Sequence, residues 1–344
     1  MKNDKGTISV SMVEEALALA RSRGLDALPL AEAAGIAAPM LASPKSRVSS
    51  AQYGALWAAI ARALDDEFFG QDSHRMKSGS FIAMTQTALT ARNGAQALAR
   101  AVGFMRLVLD DLGVRIETDA QRVRLRFLEN AGAPPTMFAY ATYFILVYGL
   151  LCWLVGRRIP LLEARFRCAE PPAAHEYRLM FCDHMSFDQA ESYVDLAPAF
   201  LDLPVIQTTK SVKPFLRDAP GSFIVKYRNP GSLAARVRKM LRAMPMPGWP
   251  AADQMAERLH VAEATMRRRL KHEGYTYQSI KDDLRRDIAI GELQDTDRTI
   301  ADIATSVGFA EPSAFHRAFR KWTGMRPTDY RPARADFTRR TESD

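Results

Sequence analysis

Two stretches of the chain, 252–274 and 300–324, carry the same apolar plan about 48 residues apart, and that repeat limits the possible folds more than any other feature. In the second stretch Ile300, Ile303, Ala304 and Val307 recur at three- and four-residue spacing, which gives a helix with one apolar face. Gly308 stops that helix and Phe309 can plug the angle beyond it. A second helix is predicted from about Glu311 to Trp322, with Pro312 tolerated in its first turn and Glu311 favoured there by the helix dipole. At ~100° per residue, Phe315, Phe319 and Trp322 share one arc and face a core. Ser313, Arg317 and, a turn later, Arg320 and Lys321 look the other way.

The first stretch repeats this residue by residue. Ala256 matches Ala304, Leu259 matches Val307, Val261 matches Phe309, Met266 matches Phe315, Arg268 matches Arg317 and Leu270 matches Phe319. The offset drifts from 48 to 49 because one turn is a residue longer. With Met266 and Leu270 inward, Ala264 and Arg268 point outward, flanked by Arg267 and Arg269, with Lys271 a turn on. Between the repeats, 279–293 places Ile280, Leu284, Ile288 and Leu293 on a helix long enough to set a fixed spacing. One such segment alone is most often an ordinary amphipathic surface helix. Two rigidly spaced ones, each with an apolar back and an arginine-led front, suit consecutive major-groove segments about one turn, ~34 Å, apart.

With these residues in place, 222–331 resembles the DNA-binding domain of the AraC/XylS family of bacterial transcription regulators. Its most diagnostic part is GFAEPSAFHRAFRKWTGMRPTDYR, from Gly308 to Arg331. Gly324, Pro327, the closing Tyr330–Arg331, and Arg285 and Ala289 of the intervening helix also fit. The resemblance implies that Ala264, Arg267 and Arg268 in the first unit, and Pro312, Ser313 and Arg317 in the second, approach the bases. Lys271, Arg320 and Lys321 complete the expected DNA-binding set. The sequence departs from the family in having Ala262 and Ala310 where a serine-like N-cap is usual, a modest stability cost on each recognition helix.

Charge is distributed as this plan requires. From residue 210 onward there are 26 Lys+Arg against 17 Asp+Glu, a balance of +9, whereas 1–209 has 21 against 22, a balance of −1. The excess thus lies with the repeated unit, where phosphate neutralisation needs it. Cys152, Cys168 and Cys182 have no CxxC spacing and are expected as buried free thiols in a reducing cytoplasm. His175, Cys182 and His184 match no standard zinc pattern, so no metal is expected. Neither a Gly-rich phosphate loop nor a G-x-S-x-G elbow occurs, so no cofactor or catalytic residue is expected. The first twelve residues, MKNDKGTISVSM, lack an apolar signal core, and export is not expected.

The remainder reads as a mixed α+β domain. Helices are expected at 8–23, 31–40, 51–64, 80–89 and 94–112, with 68–79 a loop. The period then changes: 114–117 and 123–127 alternate apolar and charged residues around 118–121, a hairpin signal, and 162–168 and 192–196 add strands. Residues 131–156 contain no charge, and 137–155 are long enough to cross a bilayer. Pro134 and Pro135 at the front and Tyr140, Tyr143 and Tyr148 along the middle favour a core or dimer-interface helix instead. Those tyrosines are more often tied-down core aromatics than ligand contacts, but they could line a small-molecule pocket, with Arg75 and Lys77 as counter-charges for an acidic effector. Residues 27–207 resemble the N-terminal effector-binding and dimerisation domain of the family branch with ornithine-response and virulence regulators, through LPLAEAAGIAAPMLASPKSRVSSAQYGAL (28–56) and DLAPAFLDLPV (195–205).

The expected organisation is an α+β sensor domain (8–207) with helices and a small antiparallel sheet, a linker (208–221), and an all-α double helix-turn-helix domain (222–332). A disordered tail (333–344) follows. The resemblance implies a cytoplasmic, homodimeric regulator, an activator that binds double-stranded DNA, contacts RNA polymerase and answers to an unidentified small-molecule effector. Two alternatives are a regulator tethered to a membrane by 131–156, and a DNA-repair enzyme fused to the same C-terminal domain, which needs a reactive or zinc-binding cysteine.

Overall fold

The computed structural model describes residues 6–130, 134–219 and 233–331. The expected start of the second domain at 222 and the tail 333–344 lie outside these residues, as do 220–221 of the expected linker.

The first domain is α+β. Helices α1 (Val10–Ser22), α2 (Ala27–Ala33), α3 (Ala38–Leu41) and α4 (Ser50–Leu64) form one layer, followed by α5 (Ser80–Leu89) and α6 (Gly94–Val108). Its start differs from the sequence reading, because β1 (Thr7–Ser9) pairs antiparallel with β2 (Arg47–Ser49). Three residues per strand are too few for alternation to register against the helical period that follows. Ser49 and Gln52 form a capping box on α4, each satisfying an otherwise orphaned N–H.

Strands β3 (Leu112–Thr118), β4 (Val123–Glu129), β5 (Leu161–Arg165), β6 (Met185–Ser186) and β7 (Tyr193–Leu196) make one sheet in the order β3-β4-β7-β5-β6. Its pairs are antiparallel except β5–β6, which is parallel. Within the sheet Arg124 grips Asp195 bidentately (2.7 and 2.8 Å) and lies 3.5 Å from the centre of the Tyr193 ring. Helix α7 (Met137–Leu154) is buried along its whole length. Phe138 meets Trp57 and Phe69 on the helical side, whereas Tyr140 and Tyr143 meet Phe127 on the sheet side. Its apolar run is therefore consumed as the partition between two layers, and 94% of the span is covered by the rest of the chain.

Two further helices interrupt stretches not expected to be helical. One is α8 (Ala174–Met180); the other is α9 (Thr209–Asp218), which lies where a linker was expected. Phe215 of α9 stacks on Trp153 with ring centres 4.1 Å apart, so burial of one aromatic face holds this segment to the first domain.

The second half is all-α, with α10 (Leu233–Arg242), α11 (Ala252–Arg258), α12 (Glu263–His272), α13 (Tyr277–Asp295), α14 (Ile300–Ser306) and α15 (Pro312–Thr323). A 3-10 turn at Pro327–Tyr330 closes it and buries Pro327 and Tyr330.

All three cysteines are free and buried. Burial pushes the Cys152 thiol up to about 11 and those of Cys168 and Cys182 up to about 12. Because the thiolate is the reactive form, the native protein should resist a water-soluble thiol reagent at pH 8 and take up three equivalents once unfolded. Rapid labelling of the native chain would contradict this burial. Among the described residues no group of three His, Cys, Asp or Glu is placed to hold a metal ion.

Candidate nucleic-acid interface

The repeat read from the sequence is present in the backbone hydrogen bonds. Val261 N–H donates to Ala256 O (3.1 Å) in the first unit, and Phe309 N–H donates to Ala304 O (2.9 Å) in the second. The turn between each helix pair needs a left-handed residue. Gly308 supplies it at φ +82°, and His260 supplies it at φ +57°, a conformation that costs a side-chain-bearing residue roughly 1–2 kcal/mol. The extra residue of the second unit is Ala310. Helix α12 starts at Glu263 after N-cap Ala262, whereas α15 starts at Pro312 after N-cap Glu311, not Ala310. Neither N-cap side chain bonds to its helix.

Each recognition helix has a buried back and an exposed front. Met266 and Leu270 are buried in α12, and Phe315, Phe319 and Thr323 in α15. Trp322 is only partly buried, set 5.9 Å from Phe309, because it sits at the edge of that arc. Ala264, Arg267, Arg268 and Lys271 are exposed in the first unit, as are Pro312, Ser313, Arg317, Arg320 and Lys321 in the second. Arg267 pairs with Glu263 one turn back (2.5 Å). Arg268, Lys271, Arg317, Arg320 and Lys321 form no ion pair among the described residues, so their charge is available to a partner.

Helix α13 runs between the two units, and its Arg285 lies near an aromatic ring on each side. Its guanidinium lies 5.6 Å from the Trp249 ring, just before the first unit, and 5.7 Å from the Phe309 ring of the second. Trp249 is itself fixed by donating Nε1–H to Leu241 O (2.8 Å), and Tyr277 by donating its hydroxyl to Pro250 O (2.8 Å).

Of the residues expected at an effector site, the two cations lie on the surface and the three tyrosines are buried, Tyr140 and Tyr143 against the same Phe127 ring. Arg75 and Lys77 are exposed, and Arg75 pairs with Asp65 at 3.3 Å. Tyr140, Tyr143 and Tyr148 are buried in α7. Tyr140 donates its hydroxyl to Glu129 and accepts from Ser192 Oγ (2.8 Å); Tyr148 donates to Ile159 O (2.7 Å). The Tyr143 hydroxyl is buried and has no hydrogen-bond partner among the described residues. Which tyrosine stays unsatisfied depends on groups distant in sequence, and so carried no sequence signal.

Residues 24–205 match the N-terminal arabinose-binding domain of AraC transcription regulators, and 255–333 match a helix-turn-helix domain. The chain is 29% identical over 331 residues to the ornithine utilization regulator of Pseudomonas aeruginosa, covering 95% of this chain and 96% of that protein. It is 36% identical over 101 residues to the transcriptional regulator VqsM of the same organism, covering 29% of this chain and 31% of that one. A solved structure, the transcriptional regulator CdpR from Pseudomonas aeruginosa, aligns at 20% identity and TM-score 0.30 over 83% of this chain and 87% of that one.

Proposed function

The chain belongs to the AraC family of transcription regulators, and on that premise we propose that it is a sequence-specific activator governed by a small-molecule effector. The observation that carries the DNA-reading part is the pair of recognition helices whose buried backs leave exposed arginines and lysines facing outward. In this reading Arg268, with Arg267, and Arg317 donate to base edges, guanine being the commonest arginine partner. Ala264, Pro312 and Ser313 allow close approach, and Lys271, Arg320 and Lys321 neutralise phosphates.

The division of labour is 8–207 for effector binding and dimerisation, 208–221 for connection and 222–332 for DNA. The protein works in the cytoplasm as a homodimer, contacts RNA polymerase when bound, and carries out no catalytic step. Among the effector candidates the support narrows to Tyr143. A buried hydroxyl without a partner costs about 1–3 kcal/mol, and a polar ligand atom would relieve that cost, whereas Tyr140 and Tyr148 are already satisfied internally. Arg75 and Lys77 lie at the domain surface.

The test begins with duplexes selected by the full-length protein from a random pool. Arg268→Ala and Arg317→Ala should each weaken binding to the selected sequence by ~1–3 kcal/mol, with little change in melting temperature because both side chains are exposed. Equal losses on selected and random duplex would mean that these arginines touch only phosphate. Failure to enrich any sequence would remove the reading altogether.

A further inference from the structure

The two reading units are attached to the first domain by different physics. The second unit shares its core: Ile303, Val307, Phe315 and Phe319 belong to the same continuous buried cluster as Met40 and Val48. Polar bonds surround that junction. Ser43 Oγ donates to Thr323 O (3.0 Å), the Arg47 N–H to the Tyr330 hydroxyl oxygen (3.1 Å), and Gln294 Nε2 to Gln52 Oε1 (2.8 Å). Gly324 is required here twice over. It closes α15 at φ +75°, and a Cβ on it would stand 2.4 Å from Ser43 Oγ.

The first unit has a separate core, in which Val237, Leu241, Met255, Met266, Leu270 and Ile280 pack together. A line of alternating charges runs from it to the first domain. Glu176 of α8 takes both terminal nitrogens of Arg47 (2.7 and 3.0 Å), and Arg47 Nε donates to Thr7 Oγ1 (2.7 Å). Thr7 Oγ1 donates in turn to Asp287 Oδ1 on α13 (2.5 Å). Within α13 itself Arg286 pairs with Asp287 (3.1 Å) and Asp283 (2.9 Å), and Asp283 then faces Arg238 of α10 at 3.6 Å. Arg238 lies 4.4 Å from the centre of the Tyr275 ring, and His175 of α8 lies against the same ring at 6.0 Å.

We propose that this charged line is an adjustable joint through which the first domain sets the position of the first reading unit, while the second unit is carried on the first domain as one body. A packed apolar core resists small displacements. An ion pair that water can reach loses little when it rearranges, whereas a largely buried one such as Arg47–Glu176 resists displacement, so the long Asp283–Arg238 contact (3.6 Å) is the link that gives. Side-chain exposure is lowest at Asp287 (8%) and highest at Asp283 (32%), with Arg238 beyond it at 16%, so Asp283 is the member of the line that water reaches most readily. Recognition helices must stand one duplex turn apart to enter consecutive grooves. A shift at the joint therefore changes whether one or both units engage. That consequence rests on the DNA-reading role proposed above; the joint itself does not.

Paired nitroxide labels test it without DNA. The native thiols are buried, so cysteines introduced on the surface label selectively. One pair, Glu32→Cys with Glu257→Cys, spans the first domain and the first unit; the other, Glu32→Cys with Ala301→Cys, spans the first domain and the second unit, all at exposed positions. Distances are read by double electron–electron resonance in the parent, in Thr7→Val, which removes the link to Asp287, and in Asp283→Asn, which weakens the link to Arg238. The expected result is a broadened or displaced distribution for the first pair alone, in either variant. An unchanged first pair in both variants would overturn the proposal. So would a second pair that broadens together with the first.

Discussion

Phe315→Ala is expected to destabilise the protein by ~3–5 kcal/mol, as truncating a buried aromatic does. Phe315 is fully buried, with Phe319 at 5.5 Å and Phe309 at 5.7 Å between ring centres. Phe319 in turn stands edge-on to Tyr330 at 5.1 Å, and Tyr330 accepts the Arg47 N–H of the first domain. Removing the ring leaves a cavity in the one core that both halves of the molecule share, so the loss should appear in global chemical unfolding and not only in fraying of α15. His316→Ala, one residue on and exposed, is the control and should stay within about 0.5 kcal/mol of the parent. A Phe315→Ala protein that unfolds at the parent's denaturant midpoint would mean that α15 is rotated relative to the orientation described here, with its arginines turned inward.

The second large effect concerns salt. With about three phosphates neutralised, the logarithm of the DNA association constant should fall with a slope near −2.7 against the logarithm of salt concentration, a loss of roughly 40-fold between 50 and 200 mM. The basis is the exposure of Lys271, Arg320 and Lys321, none of which forms an ion pair among the described residues. Replacing Lys321 by Ala should flatten the slope by about one unit and weaken all sequences alike, as loss of a phosphate contact does. Binding that is insensitive to salt over this range would place the charged fronts away from the duplex.

Much of the fold was legible because helical burial repeats every three or four residues. Ile303, Ala304, Val307, Phe315 and Phe319 announce both helices of the second unit, and each is buried. The hairpin of β3 and β4 was legible for the same reason at a period of two, in Val114, Ile116, Val123, Leu125 and Phe127. Helix α7 was visible by composition, but its place between two layers was not, since an unbroken apolar run suits a core and a bilayer equally. Helix α9 was hidden because its docking rests on scattered apolar residues, Val212, Phe215 and Leu216, packing on partners distant in sequence such as Trp153 and Phe81.

The candidate site divides along the same line. Which faces of α12 and α15 point outward follows from local periodicity, and the charged fronts are exposed where that geometry puts them. How the two halves meet had no such signal. The contacts of Thr7 with Asp287 and of Ser43 with Thr323 each join residues 280 positions apart, through short polar side chains with no repeating pattern. By itself the amino-acid order determined the helices and which of their faces carry exposed charge, because each depends on residues within a few turns of one another. Only the tertiary structure decided which reading unit is fused to the first domain and which is held by charge, because that outcome depends on the fit of surfaces formed after the helices exist.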